Sequence, residues 1–255
     1  MSNVPSAQRF WELDFVRGLA VILMVGLHYY YVVMIWSWPT WGVITVPIWW
    51  SIPAKVTAFA FIFVAGVAAA ISFERSILKR ELVSEQFFRV LQKSLILGVC
   101  SLMITVVTTY FTQAPVVFGI LHFFTVSLVL IFLLRLYISS ALVIAMIGAF
   151  LSLSGLLLYQ LVWPFAGLVW LGFIPEGFQT LDYFPLLPYL GYVTLGLAAG
   201  CRWYKNNRRQ FEVPASPPSL LLNAVMWMGQ HSLLIYLLHV PLLIAVLELS
   251  RFFRP

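Results

Sequence analysis

Long apolar blocks separated by short polar stretches dominate the hydrophobic pattern of this chain. A helix that crosses the roughly 30 Å hydrocarbon core of a bilayer needs about 20 mainly apolar residues, because each residue adds about 1.5 Å. The blocks have this length, so the pattern predicts a bundle of about seven transmembrane helices. The predicted spans are 13–36, 53–74, 90–112, 117–136, 139–160, 184–203 and 231–250.

Two stretches depart from this pattern. Residues 161–183 are hydrophobic, but prolines and glycines interrupt them, as in a re-entrant or interfacial segment. Residues 219–229 follow a proline-rich loop and predict a short approach helix before the last span; the alternative is one long final helix. Because the chain shows no internal repeat, we predict an all-α polytopic membrane protein with a single transmembrane domain over 1–255.

The composition excludes a soluble protein. Of the 255 residues, 62% are hydrophobic and only 9% are charged, whereas soluble domains carry about 25% charged residues. The net charge of +6 does not indicate a nucleic-acid partner, because the basic residues lie in a few short loops. The partner that this composition indicates is the lipid bilayer.

The distribution of basic residues between the loops predicts the orientation of the chain. One side of the membrane receives Arg9, Arg75, Lys79, Arg80, Arg89, Lys93, Arg135, Arg202, Lys205, Arg208 and Arg209. The other side receives Lys55, Arg251 and Arg254. Since basic loops stay in the cytoplasm, we predict a multi-pass protein of the cell (plasma) membrane with its N-terminus inside. Tryptophans in the outer loops are typical of an interfacial belt, with a sugar-stacking platform as the alternative.

Three histidines lie inside predicted spans, namely His28, His122 and His239. Ionisable residues within a membrane are costly, face the bundle interior and indicate function. Helix rise places all three in the middle-to-outer half of the bilayer, with His28 about 23 Å above the inner end of its span. One such residue alone is compatible with a packed, hydrogen-bonded histidine, but three at similar depth favour a site. His231 lies at the inner boundary and is expected to be a capping or interfacial residue.

Asp14 and Arg17 lie at the cytoplasmic end of the first span, three residues apart and therefore on one helix face. They either form an ion pair that closes the base of the bundle, or they present Arg17 to an anionic cytosolic ligand such as a phosphate. Gly18 leaves room for the close approach of another helix. On the outer side, Asp182 is either an acceptor-binding carboxylate or an ordinary loop acid.

The motifs of several enzyme classes do not occur in this sequence. Without a GxSxG, HExxH or Walker-type glycine loop, neither a soluble-type serine nucleophile nor a P-loop ATPase is supported. Cys100 and Cys201 lie inside apolar runs without metal-ligand spacing, so no metal site is predicted.

Four segments share the pattern of one membrane family. They are WELDFVRGLAVILMVGLHYYY in the first span, FGILHFF in the fourth, FPLLPYLGYVTLGLAAG in the sixth and GQHSLLIYLLHVPLL in the seventh. In their order they resemble the heparan-alpha-glucosaminide N-acetyltransferase catalytic domain-like family of bacterial and archaeal membrane acyltransferases. The first-helix signature corresponds to Asp14, Arg17, Gly18, Met24 and His28.

The resemblance implies a transmembrane acyltransferase that takes an acyl group from cytosolic acyl-CoA and passes it to an acceptor, usually a sugar, on the other side. The chain departs from the lysosomal enzyme of this family, which has a catalytic histidine in the first outer loop and Asn at the position of His28. Residues 37–52 contain no histidine, and the large extra luminal region is missing. The heparan substrate is therefore not carried over.

The sequence thus predicts an acyl-CoA-dependent O- or N-acyltransferase with acetyl-CoA as the simplest donor. Arg17, oriented by Asp14 and helped by basic residues of the inner loops, would bind the CoA phosphates, and His28 would act as general base or carry the acyl group covalently. One helix would then touch both ends of CoA, since these residues lie about 20 Å apart along it.

The remaining polar residues complete the predicted catalytic set. His122 and His239 would orient His28 or stabilise the oxyanion, and Asp182 would bind the acceptor. Two other functions stay open, a haem-binding electron carrier and a transporter or flippase with an intramembrane histidine site. The sequence also leaves open the acceptor, the acyl chain length and whether the chain forms a homo-oligomer.

Overall fold

The computed structural model describes residues 9–37, 48–111, 115–213 and 219–252. These residues form eight α-helices and two very short strands. The helices are α1 (Trp11–Ser37), α2 (Ile48–Leu78), α3 (Val83–Phe111), α4 (Ile120–Tyr137), α5 (Ala141–Leu158), α6 (Leu186–Trp203), α7 (Leu220–Gln230) and α8 (Ser232–Phe252). The strands β1 (Val162–Trp163) and β2 (Ile174–Pro175) pair in parallel between α5 and α6.

Six of these helices, α1 to α5 and α8, are long and apolar enough to cross a membrane. The chain is therefore an all-α integral membrane protein, as predicted. The seventh predicted span, α6, is a helix at the expected place but does not belong to the six. Its glycines, tyrosines and Arg202 lower its mean hydropathy below that of the other six helices.

Several boundaries differ from those predicted. α2 and α3 continue into polar residues, so the loop between them shrinks to 79–82. A helix continues past the apolar block because its backbone hydrogen bonds are satisfied in water as well as in lipid. The segment 161–183 is not helical apart from a short 3₁₀ turn at Val169–Leu171. The final region forms two helices that separate at His231, so the approach-helix prediction is confirmed.

On α3, apolar side chains are exposed and polar side chains are buried, as expected of a membrane helix. Ser94 and Ser101 are 4% and 2% exposed, whereas Leu102 and Met103 are each 62% exposed. Each serine hydroxyl donates to a backbone carbonyl, that of Thr125 and that of Gly98 respectively. Apolar side chains on the outside and satisfied hydroxyls on the inside suit lipid, which cannot hydrogen-bond to the helix surface.

The helices group into two compact units. The terminal unit comprises Met1–Phe61 and Val213–Pro255, and the central unit comprises Ile62–Glu212. In the terminal unit, α1 packs against α7 and α8. In the central unit, α6 packs most extensively against α5, and α3 packs against α4. The single-domain prediction stays a prediction, because compactness does not show that either unit folds alone.

Small residues bring the backbones of the central unit together. A Cβ atom at Gly191 of α6 would overlap Ser152 of α5, and one at Gly148 of α5 would lie 2.9 Å from the amide nitrogen of Leu195. Such small-residue contacts replace the hydrophobic driving force that helices in lipid lack.

Candidate active site

The cytoplasmic base of the terminal unit, in the predicted orientation, is built around a buried carboxylate. Asp14 is 6% exposed in the first turn of α1. Its Oδ2 accepts a hydrogen bond from Arg9 Nε at 2.6 Å and another from Gln230 Nε2 at 3.3 Å. The ion pair of Asp14 is thus formed with Arg9, not with Arg17. The role of Arg17 as a cation for an anionic ligand stays a prediction.

Close backbone contact between α1 and α7 fixes this base. A Cβ atom at Gly18 would overlap the carbonyl oxygen of Val225, and one at Gly229 would overlap the carbonyl oxygen of Asp14. The contact confirms the prediction that Gly18 admits another helix. It also places Gln230, the last residue of α7, within reach of Asp14.

The structure brings two of the three predicted histidines together. His28 of α1 and His239 of α8 lie edge to face, with their ring centroids 4.7 Å apart and their planes at 82°. His239 is 6% exposed, and His28 is only partly buried. α1 is continuous from Asp14 to His28, so the pair lies about 21 Å along the helix from the base.

Hydrogen bonds define the protonation of both rings. His28 Nδ1 lies 2.9 Å from the carbonyl oxygen of Met24, and His239 Nδ1 lies 2.7 Å from that of Tyr236. Because a carbonyl oxygen only accepts, both Nδ1 atoms carry the hydrogen, and both Nε2 atoms present a lone pair. The Nε2 of His239 is buried and has no hydrogen-bond partner within the part of the chain that the structure describes. This nitrogen can accept a proton, and no N–H or O–H group of the described residues donates to it.

The pair leaves no space for a haem between its rings. Axial ligation would require the two imidazoles to lie on opposite faces of a porphyrin. The rings of His28 and His239 instead touch each other directly. This contact weighs against the electron-carrier alternative.

His122 lies in the central unit and has a different environment. Its Nδ1 accepts from the backbone N–H of Gly119 at 3.2 Å, which closes the N-terminus of α4. Its Nε2 lies 3.2 Å from Thr105 Oγ1, which itself donates to the Val116 carbonyl. Since the Thr105 proton is used elsewhere, His122 Nε2–H donates to the Thr105 oxygen. Both ring nitrogens are engaged, and the catalytic role of His122 stays a prediction.

Asp182 also meets the start of α4. Its Oδ2 accepts from the backbone N–H of Ile120 at 3.1 Å and lies where a Cβ at Gly119 would collide. Burial raises the pKa of the Asp182 carboxyl to about 6, although the amides of Ile120 and Tyr183 act in the opposite direction. Thr180 strengthens the same attachment, because its hydroxyl donates to the Pro115 carbonyl at 2.7 Å. The acceptor-binding role of Asp182 stays a prediction.

His231 caps α7, as expected. Its Nδ1 donates to the Trp227 carbonyl at 2.9 Å. Sequence reasoning did not identify Arg9 and Gln230 as partners of Asp14. Gln230 could have been identified because it is a single amide at the end of an apolar helix. For Arg9, only its charge suggested a carboxylate partner.

Aromatic residues surround the outer part of α1. Tyr31 lies one turn beyond His28, and its ring centroid is 6.1 Å from that of Trp50. Tyr30 and Trp49 form a second pair at 5.4 Å. Trp50 Nε1 is buried without a hydrogen-bond partner among the described residues. Trp38 and Trp41, also expected in this region, lie outside the described residues.

A comparison of the chain with known protein families identifies the family to which it belongs. The family model described as "Heparan-alpha-glucosaminide N-acetyltransferase, catalytic" matches residues 9–241. The chain belongs to this family. The match includes both members of the histidine pair and the base around Asp14, and it confirms the resemblance read from the sequence. Membership supports a membrane transferase of the acetyltransferase type. Searches of curated proteins and of solved structures gave no match.

Proposed function

We propose that this protein transfers an acyl group, most simply acetyl, from cytosolic acyl-CoA to a hydroxyl or amine of a sugar-type acceptor. The observation that carries the proposal is the contact between the partly buried His28 and the buried His239, whose Nε2 atoms both present lone pairs. Acyl transfer to such acceptors needs a base inside a water-poor site. The cell membrane is the proposed location.

The donor would lie along α1. Arg17 offers a planar set of N–H donors suited to phosphate, and its neighbour Asp14 is already neutralised by Arg9. The distance of about 21 Å from Asp14 to His28 lets an extended CoA place its phosphates at the base and its thioester near the histidines. Asp14 holds the base together through Gln230 and thereby positions this end of α1.

His28 is the proposed general base. It is less buried than His239 and thus more accessible to a substrate. The acceptor O–H or N–H gives its proton to His28 Nε2 while the acceptor atom bonds to the thioester carbon. The C–S bond then breaks, and the imidazolium returns the proton to the departing thiolate. His239 fixes the ring of His28 through the edge-to-face contact. A lone pair at His239 Nε2 cannot donate to an oxyanion, so the positioning role suits it better.

The aromatic pairs beside α1 support a sugar-type acceptor. Tyr31 and Trp50 offer apolar faces one helical turn from His28, and Trp50 Nε1 is a buried donor without a partner among the described residues. Sugar rings bind by stacking their C–H faces on aromatic rings while their hydroxyls accept hydrogen bonds. Asp182 remains a proposed second contact for the acceptor.

Acyl transfer by the purified protein tests this function. The protein in lipid nanodiscs is supplied with labelled acetyl-CoA and a panel of amino sugars and sugar alcohols, and labelled product is measured. We expect product with at least one acceptor, and saturable binding of CoA. Absence of CoA binding would contradict the proposal.

The donor site is tested separately. Arg17→Gln should raise the KM for acetyl-CoA by about ten- to hundredfold, because one charge-assisted phosphate contact contributes about 1.5–3 kcal/mol. Lys79→Gln removes an exposed cation from the predicted cytoplasmic side and serves as the control. An unchanged KM in Arg17→Gln would show that the phosphates bind elsewhere.

A further inference from the structure

The central unit contains a cavity of about 90 Å³ that the proposed reaction does not use. It lies where α2 ends, α3 begins and α4 ends, which is the predicted cytoplasmic side. Its polar lining includes Ser76, Gln86, Arg89, Lys93 and Arg135. The volume exceeds the room that one water needs and suits a group of a few heavy atoms.

Buried polar side chains build this cavity from within. Ser76 and Gln86 are 6% and 7% exposed. Ser76 Oγ donates to the Ser72 carbonyl at 3.1 Å, and Gln86 Nε2 donates to the Glu81 carbonyl at 3.0 Å. Arg89 Nη2 donates to Ser76 Oγ at 3.0 Å, so the guanidinium is anchored to the buried hydroxyl. Polar groups are held in place on both the α2 and α3 walls.

The guanidinium of Arg135 forms the α4 wall. It lies over the Phe73 ring, 4.9 Å from the centroid, and its side chain is only 14% exposed. Its Nη1 donates to the Ile138 carbonyl at 3.4 Å. Of the five N–H donors of the planar guanidinium, only part is used by this contact with the backbone.

The charges around the cavity do not balance. Three cations line it, whereas the acidic partners are two: Glu81 pairs with Arg89, and Glu74 lies 4.0 Å from Arg135. Neither glutamate lines the cavity. Lys93 has no carboxylate partner within the described ranges. The lining therefore carries a surplus positive charge.

We propose that this cavity binds a phosphate-type oxyanion. A buried amide, a stacked guanidinium and a surplus cation are groups that recognise phosphate oxygens. The phosphate belongs either to an anionic lipid headgroup of the cytoplasmic leaflet or to a soluble phosphate compound, since both reach this side. This inference is independent of the acyl-transfer proposal, because every residue that lines the cavity belongs to the central unit, whereas Arg17, His28 and His239 belong to the terminal unit.

Two binding measurements distinguish the sources of the phosphate. In the first, the detergent-purified protein is equilibrated with radiolabelled inorganic phosphate, and retention is measured by equilibrium dialysis. In the second, native mass spectrometry counts lipids retained from nanodiscs of phosphatidylglycerol or of phosphatidylcholine. Binding in the first measurement identifies a soluble phosphate, and selective retention of phosphatidylglycerol identifies a lipid headgroup.

Lys93→Gln and Lys79→Gln are the matched variants. Both lysines are exposed on the same side of the central unit, but only Lys93 lines the cavity. Lys93→Gln should weaken the observed binding about tenfold, because it removes one charge-assisted contact, and Lys79→Gln should leave it unchanged. The proposal is overturned if neither probe binds saturably, or if both variants weaken binding equally, which would indicate general surface charge.

Discussion

The histidines of the two units differ in what their nitrogens contact. In the central unit, His122 accepts from Gly119 with one nitrogen and approaches Thr105 with the other. In the terminal unit, His28 and His239 each donate to a carbonyl through Nδ1, and the buried Nε2 of His239 has no partner within the described chain. All three were equally good candidates by depth in the membrane.

Hydrogen-bond partners thus distinguish histidines that depth along a span does not. A buried polar atom that is fully paired stabilises the fold, whereas an unpaired one costs free energy and needs another reason to be there. The terminal unit carries that cost at His239. We therefore expect loss of His28 to lower the rate of acyl transfer and loss of His122 to lower the stability of the fold.

Removal of the base at His28 should have the largest effect. His28→Asn keeps an amide N–H that can donate to the Met24 carbonyl but removes the Nε2 lone pair. We expect the acyl-transfer rate to fall between about 10²- and 10⁴-fold, the usual contribution of a general base, with little change in the melting temperature. His231→Asn is the control, because His231 only caps α7. A wild-type rate in His28→Asn would refute the proposed base.

The packing of α1 on α7 should respond next most strongly. Gly18→Ala introduces a Cβ that overlaps the Val225 carbonyl, and overpacking of this kind costs about 1–3 kcal/mol. Gly26→Ala on the same helix meets no heavy atom within 4 Å and should be neutral or slightly stabilising. Thermal unfolding in detergent measures both. Equal melting temperatures for the two variants would show that α7 does not pack here as described.

Loss of His122 should affect stability and spare the chemistry. His122→Ala leaves the Gly119 N–H without its acceptor and removes the N–H that donates to the Thr105 oxygen, which should cost about 1–2 kcal/mol. The acyl-transfer rate of the folded fraction should stay within a few-fold of the wild type. A rate loss of a hundredfold at unchanged melting temperature would instead place His122 in the catalytic machinery.

The smallest expected effect is a pH dependence at Asp182. Its raised pKa of about 6 means that the folded state holds the proton more tightly than the unfolded state. The stability from this group is present below about pH 4 and is lost as the pH rises through 6. Asp182→Asn keeps an oxygen for the Ile120 amide and removes the titration. Relative to this variant, the wild type should lose on the order of 1 kcal/mol between pH 4 and pH 7.

Melting temperatures of the wild type and Asp182→Asn across this pH range give the comparison directly. Titrations elsewhere in the chain occur in both proteins and cancel in the difference. A wild type that gains stability relative to the variant as the pH rises would mean that the carboxyl pKa is lowered, contrary to the buried environment described.

The sequence by itself determined the class of the protein and most of its helices. Apolar blocks of membrane length form α-helices in lipid, because their backbone N–H and C=O groups can hydrogen-bond only to one another. The short α7, the non-helical nature of 161–183 and the room beside Gly18 followed from local residue chemistry. Membership of the family could also be read from segments such as the one that contains Asp14 and His28.

The partners of each polar residue were decided only by the tertiary structure. Depth along a span fixes the height of a side chain but not its azimuth, which depends on how neighbouring helices rotate and pack. Asp14 therefore paired with Arg9 and Gln230, His28 met His239, and His122 turned to Thr105. The contacts of Asp14 with Gln230 and of His28 with His239 join residues distant in sequence, and Gly18 and Gly229 allow the close approach of α1 and α7 that the first of them needs.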